Sequence, residues 1–147
     1  MTENDASGGV PRMSDTPNPA LRRLDRLVGT WDVAGDDIAG RVTFAWMEGG
    51  FFLTQTVDLV HGGRRITGVE YIGYDPASGR LMSHYFGNQE LPLTYDWEVE
   101  GDTLTIWGGS VGSAARYLGT FSPDGTVNAG RWEWPGGGYA STMTKMA

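Results

Sequence analysis

Apolar residues follow two different periods along the chain. Near the start, Leu21, Leu24, Leu27 and Val28 fall at helical spacing, with Arg22, Arg23, Asp25 and Arg26 between them. Asn18-Pro19 supplies a cap and a first-turn proline, and Gly29 ends the run. One short amphipathic helix is predicted, lying as a plug on something apolar. From Trp31 onward the period drops to two, and turn signals return roughly every 8 to 12 residues. They include Asp36-Asp37, Glu48-Gly49-Gly50, Gly62-Gly63, Gly101-Asp102 and Pro135-Gly136-Gly137-Gly138. Nine such turns separate ten predicted strands. Connections this short join antiparallel neighbours in sequence order, and closing the sheet removes its two edges. The expected fold class is all-β: a ten-stranded up-and-down antiparallel barrel with a short N-terminal helix. Residues 1–18 are polar and aperiodic and read as a disordered tail, which leaves 19–147 as a single domain.

Turn geometry fixes register, and register fixes which side chains face inward. A two-residue turn at Gly62-Gly63 pairs His61 with Arg64, and therefore Leu59 with Ile66, Val57 with Gly68, Gln55 with Glu70 and Leu53 with Ile72. Counting across Gly49-Gly50 sets Leu53 against Trp46, Gln55 against Phe44 and Val57 against Val42. Three strands then share one apolar face, interrupted only by Gln55 beside Glu70. In the next strand the inward set is expected to be Met82, His84 and Phe86, with His84 opposite Glu70. Leu93, Tyr95, Trp97 and Val99 follow, facing Leu104 and Ile106. For the last three strands two parities stay open: Trp132 and Trp134 inward, or Tyr117, Arg131 and Glu133 inward. The candidate interior is thus lined by Phe44, Trp46, Phe86, Tyr95 and Trp97 around Gln55, Glu70 and His84.

A carboxylate and an imidazole are costly in an apolar barrel unless they are paired. Burial raises a carboxyl pKa and a neighbouring cation lowers it, so Glu70 and His84 together could exchange a proton near neutrality. The plainer alternative is that Gln55, Glu70 and His84 satisfy one another or hold water and only fix the fold. His61, on a hairpin turn, reads as a solvated surface residue.

Composition narrows the chemistry further. The chain of 147 residues has 23 Gly, roughly twice the usual ~7%, which suits many turns. It contains no Cys, which excludes disulfides, thiolate metal sites and a cysteine nucleophile. Its two His, His61 and His84, lack metal-ligand spacing, so no metal is expected. The net charge of −7 with no basic patch argues against nucleic acid as a partner. No apolar run reaches membrane-span length and no signal-peptide pattern is visible, so no membrane partner is expected and the cytoplasm is the expected location. A homodimer stays open. Gly108-Gly109-Ser110-Val111-Gly112 matches G-x-S-x-G, but no helix pattern follows and both His lie upstream, so it reads as a glycine loop.

Gly29-Thr30-Trp31, directly after the short helix, resembles the G-x-W opening of calycin-type barrels, the lipocalins and fatty-acid-binding proteins. That resemblance implies that Trp31 closes the barrel base under a basic residue from a late strand, for which Lys145 is the candidate. Glu48-Gly49-Gly50-Phe51-Phe52-Leu53, the run Gly68 to Asp75, and Ser83-His84-Tyr85-Phe86 are similar to the DUF1579 family, uncharacterised bacterial proteins of lipocalin-like type. The similarity covers about residues 21 to 147, implies a fold, and carries no catalytic residue across. More distantly, the chain resembles nitrobindin-like haem barrels, which ligate iron through a His near the C-terminus. No His follows His84, so haem would need His84 as a substitute, and no cofactor is expected.

Two functions of different class follow. One is binding of a small, largely apolar molecule in an intracellular lipocalin-like barrel, through Phe44, Trp46, Gln55, Glu70, His84, Phe86, Tyr95 and Trp97. The other is a cofactor-free enzyme, an isomerase, cyclase or hydratase of the kind recruited to natural-product biosynthesis, with Glu70 and His84 as acid and base. A structural domain with a filled core is the third, plainer option.

Overall fold

The computed structural model describes residues 14–147. Most of the tail expected over residues 1–18 therefore lies outside the described residues. The strands are β1 (Gly29–Gly35), β2 (Ile38–Trp46), β3 (Phe52–His61), β4 (Arg64–Asp75), β5 (Arg80–Gly87), β6 (Leu93–Glu100), β7 (Thr103–Gly108), β8 (Arg116–Phe121), β9 (Val127–Trp134) and β10 (Gly137–Lys145). Each pairs antiparallel with its neighbour in sequence, and β10 pairs with β1, so the sheet closes. The all-β, up-and-down ten-stranded barrel is the observed fold, and it is compatible with the calycin type.

The glycine turns set the register of the first strands. Gly62 and Gly63 have φ of 59° and 77°, the left-handed pair that a tight hairpin turn requires. His61 accordingly pairs with Arg64, and the ladder places Gln55 opposite Glu70 and Leu53 opposite Ile72. Across the preceding turn, Trp46 meets Leu53 and Phe44 meets Gln55.

Pro19–Leu27 forms a helix, but one wound as a 3-10 helix with Asn18 as its cap. The Asn18 side chain accepts from the Ala20 amide at 2.9 Å. Three residues per turn stack Leu21, Leu24 and Leu27 on one edge, and all three are buried. Val28, expected on the same face, is exposed instead because it follows the last turn. The helix covers one end of the barrel. There Trp31 is fully buried and donates from Nε1 to Leu27 O at 2.8 Å. Lys145 Nζ lies 4.9 Å from the Trp31 ring centre, and Arg26 stacks 4.0 Å from Phe121. Both contacts let a cation sit on an aromatic face while its stem covers apolar surface.

Candidate functional site

The opposite end of the barrel stays open and leads into a cavity of about 350 Å³. That is at the small end of the ~300–1,000 Å³ usual for small-molecule sites. Its wall is mostly apolar and aromatic, and among the described residues Glu70 is the only Asp, Glu, Lys or Arg on it.

Glu70 projects inward from β4 and is 5% exposed. Three neighbouring side chains hold it. Gln55 Nε2, directly across the β3–β4 ladder, donates to Oε1 at 2.8 Å. The Ser83 hydroxyl on β5 donates to Oε2 in a very short bond. Trp97 Nε1 on β6 donates to Ser83 Oγ at 2.9 Å and so fixes which way the hydroxyl points. These donors favour the carboxylate, but burial outweighs them and pushes the Glu70 pKa up to about 7. At neutral pH the group therefore populates both protonation states, as a binding or proton-transfer group in a cleft does.

Tyr85 stands across the β4–β5 ladder from Glu70. Its ring lies over Gly87 and Gly68, where an added Cβ would fall 2.6 Å from the Tyr85 ring or hydroxyl. Only glycine leaves that space. The Tyr85 hydroxyl is buried without a hydrogen-bond partner among the described residues. On the far wall Tyr117 donates to Asn128 Oδ1 at 2.6 Å, and its ring is 5.7 Å from Trp132. Burial raises the pKa of Tyr117, and that of Tyr95 to about 12, so both phenols stay protonated. His61 and Tyr139 pack 4.3 Å apart at the mouth, with Trp134 beside Tyr139.

Several expectations need correction. His84 and Phe86 are exposed on the outside of the barrel, stacked 6.5 Å apart. His84 pairs with Tyr71, and the inward residues of β5 are Leu81, Ser83 and Tyr85. The observed parity of β5 differs from the expected one by one residue, and a one-residue slip turns every side chain to the other face. No Glu70–His84 pair exists, and His84 is not placed to ligate a group held in the cavity. Trp46 faces the base and not the cavity: its Nε1 donates to Asp25 at 2.8 Å and Arg22 lies 4.4 Å from its ring. Phe44, Gln55, Glu70, Tyr95 and Trp97 do line the cavity. His61, read as a solvated turn residue, lines its mouth.

In the late strands Tyr117 and Trp132 pair across β8–β9 and both line the cavity, while Arg131 and Glu133 are exposed. Of the two parities, the one with Trp132 and Trp134 inward is observed, and Tyr117 joins it because the ladder pairs it with Trp132 and not with Arg131 or Glu133. Ser83, Tyr85 and Tyr139 are the lining or supporting residues that strand parity missed. The signal available for Ser83 was the Glu70 carboxylate, which needs a donor on the adjacent strand. The glycine segment 108–112 forms a turn between β7 and β8, where the Val111 amide donates to Asp96 at 3.0 Å. Among the described residues no three His, Asp or Glu side chains are grouped to hold a metal ion, and no helix is long and apolar enough to cross a membrane.

No family model matches the chain, and a comparison with curated proteins finds no match.

Proposed function

We propose that this protein binds a small, largely apolar molecule inside the barrel. The supporting observation is an open aromatic cavity of about 350 Å³ with a single buried carboxylate on its wall. A core meant only for stability would fill that space, since native interiors are close-packed. In this reading Phe44, Tyr95, Trp97 and Trp132 supply contact area, and Gln55 and Glu70 orient one polar group of the ligand. In this reading His61, Tyr139 and Trp134 form one side of the mouth through which the ligand enters.

The test is titration with phenylnaphthylamine, an apolar fluorescent probe. Expected are saturation at one probe per chain and quenching of the tryptophans around the cavity. Ile106→Trp, which fills the cavity from the wall, is expected to abolish binding while leaving the thermal midpoint near that of the native chain. Unchanged probe affinity in that variant would sink the reading.

The Glu70 pKa near 7 favours a second reading, a cofactor-free enzyme that moves one proton. Glu70 alone would take and return that proton, because His84 lies outside. An isomerase of this type would lose turnover in Glu70→Gln and keep its affinity for substrate. A binding protein would show no turnover to lose.

A further inference from the structure

The charge inventory of the cavity extends the binding function just proposed, and rests on it. Among the described residues no Lys or Arg reaches the wall. Arg22, Arg26 and Lys145 are engaged on aromatic faces at the closed end. Arg41 and Arg65 pair with carboxylates on the exterior. Among the described residues, Glu70 therefore has no Lys or Arg as its counter-charge.

Each Glu70 oxygen accepts one bond from the protein, from Gln55 and from Ser83. An ionised carboxylate offers about four lone-pair sites, so two remain. Around it stand Phe44, Tyr85, Tyr95 and Trp97, whose ring faces carry partial negative charge. An anionic ligand would meet a carboxylate and aromatic faces at the wall's centre, with His61 at the mouth as the one basic side chain on the lining among the described residues. A neutral ligand would leave the charge unpaired whenever Glu70 is ionised, or require it to take up a proton, and either costs affinity above pH 7. A cation answers both, as partner to the carboxylate and as guest of the aromatic faces.

We infer that the ligand is an apolar amine, bound as its ammonium form with the charged nitrogen against Glu70 and the apolar body among the aromatic rings.

Three probes that share one skeleton test this: naphthylethylamine, naphthylethanol and naphthylacetate, titrated by calorimetry into the full chain. Expected at about pH 8 is amine binding at least tenfold tighter than the alcohol, with the acid weakest. The amine affinity is expected to rise up to tenfold per pH unit as pH climbs toward 7, because binding expels the Glu70 proton. In Glu70→Gln, checked for folding by circular dichroism, the amine is expected to fall to the affinity of the alcohol. If the alcohol equals the amine in the native chain, or the acid binds tightest, the amine assignment is overturned while binding in the cavity stands. If none of the three binds and phenylnaphthylamine also fails, the binding function falls and this assignment with it.

Discussion

Ser83 points its hydroxyl at Glu70 Oε2 from the neighbouring strand, inside the barrel. The Trp97 indole, behind it, leaves the hydroxyl proton no other direction. Ser83→Ala removes a donor from Glu70 and orphans the Trp97 N–H. The expected result is a loss of about 1–3 kcal/mol in denaturant unfolding and a further rise in the Glu70 pKa, read by carboxyl NMR. A double-mutant cycle with Glu70→Gln should show coupling well above that of distant pairs.

Glu70 also sets a pH dependence. Its pKa rises from about 4.5 to about 7 on folding. The folded state therefore holds the proton more tightly, and the stability tied to that proton is complete below pH 4.5. It is lost as pH rises toward 7, by roughly 3 kcal/mol in all. Glu70→Gln carries no such titration. Unfolding free energies of the two proteins measured across this window should diverge, with the variant gaining on the native chain as pH rises. Parallel curves would mean that Glu70 titrates normally.

The Tyr85 hydroxyl is buried with no partner among the described residues. Tyr85→Phe is therefore expected to leave stability unchanged or raise it by about 1 kcal/mol. Gly87→Ala is expected to do the reverse. Its new methyl would occupy the space of the Tyr85 ring, 2.6 Å away, and both the thermal midpoint and cavity binding should fall.

At the base, Leu24 is fully buried between the helix and the barrel. Leu24→Ala is expected to cost about 2–5 kcal/mol in chemical denaturation. His84→Ala, on the outer face, is expected to stay within about 0.5 kcal/mol of the native chain and to leave probe binding unchanged.

The contrast between β3–β4 and β5 explains what the sequence could disclose. Gly62-Gly63 is a two-residue turn, so counting from it determines every pair from His61–Arg64 to Leu53–Ile72. Pro76–Gly79 is longer, and β5 carries apolar residues on both faces, so counting and composition both leave its parity undetermined. Phe86 is exposed beside Tyr71, whereas the polar Ser83 is fully buried because Glu70 and Trp97 satisfy it. Hydrophobicity ranks those two residues the wrong way round. The partner of a buried carboxylate is chosen by geometry across strands, which one strand alone does not encode. Asp96 fails similarly: it points out of the barrel and is nonetheless buried, under the loop whose Val111 amide it binds.

The ladder that joins β1 to β10 pairs Trp31 with Lys145, residues from nearly opposite ends of the chain. The other ladders are hairpins between sequence neighbours and can form as each pair of strands becomes available. Closure is the single step with a large loop to bring together, which makes it the slow, entropically expensive event of folding. Until it occurs, β1 and β10 each present an open edge able to recruit a strand from another chain. The same event seats Lys145 over Trp31 and completes the seal beneath the cavity. A ribosome-bound chain whose β10 has yet to emerge would thus be a nearly finished sheet with no container in it.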